Sequence, residues 1–319
     1  MEHASPTPGV DYPRTFDEMD DWFRTEAQCR DYIRRVCWPN GFGCERCGVA
    51  GEPWVTVRGV FRCRACDGST SLTAGTVFQD TRKPLRMWVL AMWFITSQKN
   101  GVSALGLQRV LGLGSDETAW TWLHTLRRAM VRPERERLTG DIEIDETSGG
   151  GPEEGTRGRE TAKKAIVVVA TEKRGHAIGR IRLRRIKDVS AKSLRPFIRE
   201  TIEPGATIHT DGWRGYAGLA DAGYPHRVTV ISAGPEQAHE VMPRVHHVAA
   251  LLKRWRLGTL QGGIQYQHLD DDLDECTCRF TRRRSQARGL LFHRLAQQAV
   301  AVGPAPYHVI ISGPGPLLG

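Results

Sequence analysis

DIEIDETSGGGPEEGTRGRETAKKAIVVVATEKRGHAIGRIRL, residues 141–183, decides the fold. Asp141–Thr147 alternates apolar and polar residues, the two-residue period of a strand with one buried face. Ala165–Ala170 (AIVVVA) is apolar throughout, as a strand covered on both faces is. His176–Leu183 alternates again, and the Gly-rich, charged residues 149–164 read as a loop. Working outward, Ser190–Thr201 has helical spacing, Thr207–Thr210 and Val228–Ile231 are short strands, and the chain is mostly helical from Val245 to about Val302. Three strands, a helix, two short strands and further helices make a mixed α/β domain over residues 134–302.

Upstream the pattern is different. Cys44-x-x-Cys47, fifteen residues and Cys63-x-x-Cys66 have the spacing of a four-thiolate zinc site built on two knuckle turns. Four protein ligands close the coordination sphere, so this Zn²⁺ would be structural. Trp54, Val55, Val57, Val60 and Phe61 alternate as a hairpin between the knuckles, placing a zinc ribbon at 38–75. Residues 1–37 read as a loose tail followed by one short helix from Thr15 to about Cys37. Residues 76–133 carry three helical segments, with Ser115 as a cap and a turn around Gly112–Gly114 that suits a helix-turn-helix. Lys99, Arg109, Arg127 and Arg128 would give this unit a basic side; a plain three-helix packing unit is the alternative. Residues 303–319 are Pro- and Gly-rich and read as a flexible tail.

The 319 residues carry 45 Lys and Arg against 36 Asp and Glu, a net charge of +9. This balance favours a polyanionic partner, nucleic acid before membrane. No run of 18 apolar residues exists, and the acidic, Pro-containing start lacks an export signal. Cys29, Cys37, Cys276 and Cys278 then read as reduced thiols of a cytoplasmic protein.

Two aspartates stand at strand ends: Asp145 in DIEIDET, and Asp211 in IHTDGWRGY, residues 208–216. Carboxylates on neighbouring strand ends can converge on hard divalent cations for phosphodiester chemistry. Asp-Gly is also an ordinary turn, so capping is the plainer reading of each. Arg279, Arg282, Arg283, Arg284 and Arg288 form a basic run suited to phosphate. Trp213, Tyr216 and Trp255 could stack on bases or fill the core. No catalytic role is assigned to His209, His239 or His247.

The segments CWPNGFGCERCG, FRCRACDGSTSLTAGTVFQDTRKPLRMWVLAMWFIT, IEIDETSGGG, TDGWRGYAGL, VHHVAALLKRWRLGTLQG and HLDDDLDECTCRFTRRRSQARGLLFHRLAQQAV carry a resemblance. From about residue 20 to 302 the chain resembles insertion-sequence transposases that join an N-terminal zinc ribbon to a DDE-type, RNase H-like domain. The resemblance implies an enzyme that binds terminal inverted repeats, hydrolyses DNA at the element's ends and joins the 3′-OH ends to a target. Asp145 and Asp211 match the first two catalytic aspartates. The third ligand in that family is usually Glu, sometimes Asn or His, seven residues before a helical Lys; here these are His246 and Lys253. Part of the family also carries Glu followed four residues later by Arg, which matches Glu275 and Arg279, and Glu275 is the other candidate for the third ligand. The resemblance implies Mg²⁺ or Mn²⁺ at Asp145, Asp211 and His246, DNA contacts from Lys253, Arg279, Arg282, Arg283 and Arg284, and a homo-oligomer on double-stranded transposon ends and target. An inactive, domesticated copy acting as a zinc-ribbon regulator is the alternative.

Overall fold

The computed structural model describes residues 5–132, 135–149, 165–229, 241–260 and 266–312. Residues up to Met130, with those from Ser285 onward, make one compact unit; Val131–Arg284 make a second.

In the first unit, α1 (Phe16–Trp22) and α2 (Glu26–Cys37) stand where one helix was expected. Capping separates them. The Thr25 hydroxyl accepts from the Gln28 N–H, while the Gln28 side chain accepts from the Thr25 N–H, a reciprocal pair that starts a new helix. The ribbon follows as an antiparallel sheet of β1 (Trp54–Val55), β2 (Val60–Arg62) and β3 (Ser69–Ser71). Phe61 points inward against Trp38, ring centroids 5.0 Å apart. Next come α3 (Leu85–Ser97), α4 (Ala104–Leu111) and α5 (Asp116–Arg128). Helix α3 follows Pro84 and has no cap of its own. The Glu26 carboxylate of α2 accepts from the Leu85 and Arg86 N–H groups instead, at 2.8 and 3.0 Å. Helix α4 ends at Gly112 with φ +63°, a left-handed stop that glycine takes without strain. Helix α5 is interior over Trp122–Arg127, and Trp122 stacks on Trp88 at 3.8 Å. Arg127, read above as part of a basic surface, is therefore buried, its Nη1 3.4 Å from His124 Nε2.

The second unit is built on β4 (Asp141–Gly149), β5 (Ala165–Arg174), β6 (Ala177–Ile186), α6 (Ala191–Thr201), β7 (Thr207–Thr210), β8 (His226–Val228), α7 (Pro243–Leu260) and α8 (Leu269–Thr281). The five-stranded sheet has the order β6-β5-β4-β7-β8, with β4–β5 and β5–β6 antiparallel and β4–β7 and β7–β8 parallel. It is the mixed α/β sheet that the element order led us to expect, consistent with the RNase H-like domain that the resemblance implied. Ile142, Ile144, Val168 and Ala170 face α6 and the turn around Tyr216. Val167, Val169, Ile181 and Leu183 face α7 and α8. Strand β5 supplies both cores, hence its unbroken apolar run.

Helix α9 (Arg288–Ala301) does not close this domain at 302 as expected. It belongs to the first unit, where it lies against α2 and α3. Its apolar side needs their aromatic surface: Phe292 stacks on Tyr32 at 5.6 Å, and a Cβ on Gly289 would fall 1.7 Å from the Pro13 carbonyl oxygen. The tail read as flexible carries α10 (Tyr307–Ile311), which lies against α5 with Ile310 fully buried.

His293 of α9 is buried, with Nδ1 2.8 Å from the Tyr32 hydroxyl, and burial lowers its pKa below the usual 6.5. The unfolded chain then takes up the proton first as pH falls, so the stability this group contributes is present above about pH 6.5 and is lost below it. Melting of the protein between pH 8 and pH 5 should show a fall that is shallower in His293→Gln. Identical slopes in the two proteins would contradict this.

Candidate functional site

The four cysteines need no large core to converge. The knuckles at Cys44–Cys47 and Cys63–Cys66 bring all four sulfurs within 4.8 Å of one another. Cys44 Sγ is 3.6 Å from Cys66 Sγ, and Cys47 Sγ is 3.6 Å from Cys63 Sγ. A tetrahedral ion with bonds of about 2.3 Å requires sulfurs roughly 3.8 Å apart, so these thiolates fit a structural Zn²⁺.

In the second unit the register of the sheet sets the chemistry. Asp141, Ile142 and Glu143 of β4 lie opposite Thr207, Ile208 and His209 of the parallel strand β7. Continuing that register brings Asp145 level with Asp211, just beyond the end of β7. Odd-numbered residues of β4 face α7 and α8, whereas Ile142 and Ile144 face the opposite core. Asp145 thus looks toward α7, where His246 Nδ1 stands 3.6 Å from its Oδ2. His246 Nε2 is buried and meets no hydrogen-bond partner among the described residues. An imidazole with one nitrogen facing a carboxylate and the other buried without a partner suits a divalent cation.

Asp211 holds its loop through Oδ1, which accepts from the Trp213 N–H at 3.0 Å. Behind the strand, Tyr216 is buried and its hydroxyl donates to Glu146. Burial, and then the negative charges of Glu146, Asp145 and Asp211, push the Tyr216 phenol well above its ordinary value. Asp145, Glu146 and Asp211 therefore share one end of the sheet. Among the described residues, only the cysteines have three or more ligand atoms all within 4.8 Å, so the donors at this end are spread apart.

Lys253 is exposed on α7, seven residues after His246 and on nearly the same helical face. Glu275, on α8, is fully buried, and its carboxylate accepts from Arg279 Nε at 2.7 Å with Nη2 at 2.6 Å. These two make an ion pair one helical turn apart. Arg282 Nη1 is 2.7 Å from Cys278 Sγ, Arg283 lies over the Phe280 ring at 3.9 Å, and Arg284 is exposed. Trp213 and Tyr216 belong to one core and Trp255 to the other. His209 pairs with the Thr229 hydroxyl at 2.8 Å, His247 is exposed, and His239 lies outside the described residues.

Three residues that frame this end were not singled out in the sequence: Glu143, Glu146 and Arg244. The alternating IEIDE pattern carries the signal for Glu143, since it places an acid two residues before Asp145 on the same face.

Residues 137–281 match the ISXO2-like transposase domain, and residues 24–69 match the transposase zinc-ribbon domain. The matches do not overlap and together take in more than half of the chain. A protein of Halobacterium salinarum described as an uncharacterized protein in transposable element ISH50 is 25% identical over 211 residues, covering 61% of this chain and 70% of that one.

The ribbon geometry generates a direct expectation. Freshly purified protein should carry one Zn²⁺ per chain, and Cys63→Ser should lose it together with on the order of 10 kcal/mol of local folding free energy, while the mixed sheet stays folded. Elemental analysis giving less than half a zinc per untreated chain would refute the assignment.

Proposed function

Because the chain belongs to the insertion-sequence transposases that pair a zinc ribbon with an ISXO2-like transposase domain, we propose that it binds the terminal inverted repeats of its element, cleaves the DNA ends and joins them to a target. What supports this reading is the β4–β7 register, which when continued brings Asp145 level with Asp211, together with the approach of His246 to Asp145. Mg²⁺ or Mn²⁺ bound by Asp145, Asp211 and His246 would supply Lewis-acid activation of the attacking oxygen and charge neutralisation at the leaving one.

This chain's own groups do the rest. Asp211 is held by the Trp213 N–H, which fixes the loop that bears it. Lys253 projects from the His246 face of α7 and binds a DNA phosphate. Water is the nucleophile for cleavage and the freed 3′-OH for joining, so no covalent enzyme intermediate is needed. The Glu275–Arg279 pair ties two successive turns of α8 together. Arg282, Arg283 and Arg284 end the domain as a phosphate-binding edge. Cleavage and joining at paired ends are carried out by a homo-oligomer on double-stranded DNA.

Supercoiled plasmid bearing the element's ends tests the reading. Cleavage should require Asp145 and Asp211 and vanish in His246→Ala. His246→Glu should retain it with better use of Mg²⁺, since a carboxylate is the harder ligand. Glu275→Gln should lower it less than His246→Ala does. Mg²⁺-dependent cleavage by His246→Ala, with none by Glu275→Gln, would transfer the third ligand to Glu275. Specific binding without cleavage by the native chain would leave a DNA-binding regulator.

Salt dependence tests the basic edge separately. Each phosphate contact contributes about 0.9 to the slope of log K against log salt. Replacing Arg282, Arg283 and Arg284 with Ala should flatten that slope by about 1–3. An unchanged slope would make the run ordinary solvated surface.

A further inference from the structure

We infer that Glu143 is a positioning residue for the candidate cation site: by capping α7 and pairing with Arg244 it sets His246 against Asp145. This rests on the reading of Asp145, Asp211 and His246 proposed above. Helix α7 begins with Pro243, which has no N–H, so its first free donors are those of Arg244 and Val245. Both go to one oxygen of Glu143, Oε2, at 2.9 and 3.0 Å. The other oxygen accepts from Arg244 Nη1 at 2.9 Å, and Arg244 Nη2 reaches the Gly175 carbonyl at 2.9 Å. The His246 N–H already turns to the Met242 carbonyl, 3.4 Å away. The helix start is therefore tied to β4 through Glu143 and to the β5–β6 turn through Arg244.

The tie falls beside the site on both elements. Asp145 is the next residue of β4 on the face of Glu143, and His246 directly follows Val245 on the helix. Glu143 is only 5% exposed. A carboxylate desolvated to that degree is costly, and a buried ion pair often stabilises no better than apolar side chains of the same volume. What an apolar pair could not do is fix the rotation and advance of α7 against β4, which the 3.6 Å approach of His246 to Asp145 requires.

The test uses the full-length protein and three readouts: the melting temperature, Mn²⁺ affinity, and the imidazole ¹⁵N signals of His246 in the metal-free state. Glu143→Gln keeps an oxygen for the helix N–H groups but loses the charge pairing. Glu143→Leu/Arg244→Met removes the pair without leaving an orphaned charge, so it should melt at a higher temperature than Glu143→Gln. Both should weaken Mn²⁺ binding about 10–100-fold, the usual cost of losing a group that orients a metal ligand, and shift the His246 signals. In a His246→Ala background the double replacement should weaken Mn²⁺ no further. Native Mn²⁺ affinity with unshifted imidazole signals in the folded double variant would overturn the inference. So would an undiminished loss in the His246→Ala background. If Asp145→Ala still bound Mn²⁺ normally, the cation-site reading would fail instead, and the imidazole signals alone would decide the role of Glu143.

Discussion

The contact on which the candidate site depends is a carboxylate in the core. Glu143 meets two backbone N–H groups and a guanidinium from the first turn of α7. A strand and a helix far apart in sequence are joined there by directional bonds, where apolar contact alone would allow sliding. Hydrogen bonds to a buried charge are stronger than those between neutral groups, and leaving any of them unmade is expensive. The same device appears in the first unit, where Glu26 of α2 caps α3. In both cases an acid from another element accepts from the free N–H groups at a helix start.

The ribbon and the α/β unit are held by different physics. The ribbon has three strands of two or three residues, and the Trp38–Phe42–Phe61 cluster fills its small core. Segments this short cannot bury enough apolar surface to fold alone, so the thiolate cluster carries their order. The α/β unit has a core on each face of its sheet. That frame carries Asp145 on β4 and Asp211 just past β7, each partly open to solvent.

Much of this was legible because the signals were local. The Cys-x-x-Cys pairs, the alternation of Asp141–Thr147 and the apolar run at 165–170 each encode their own geometry. Membership of the transposase family was likewise legible, since both matched segments include motifs visible by eye. What escaped was set by tertiary contact. Nothing in the sequence near Arg288–Ala301 says that its aromatic face is satisfied by α2 and α3 and not by the sheet. Thr25 could have announced the break between α1 and α2, because a Thr with Gln three residues on is a start signal. Arg127 counted as basic surface because charge is a poor guide to burial when a helix is enclosed on several sides. Glu143 was overlooked because its partners lie a hundred residues downstream.

The central claim is that Asp145, Asp211 and His246 hold the working cations. Anomalous diffraction from crystals of the full-length protein grown with Mn²⁺ measures this most directly. The account predicts anomalous peaks at bonding distance from the carboxylates of Asp145 and Asp211, with the His246 imidazole coordinated to one of them. Manganese bound at Glu275, with none at Asp145 and Asp211, would contradict it.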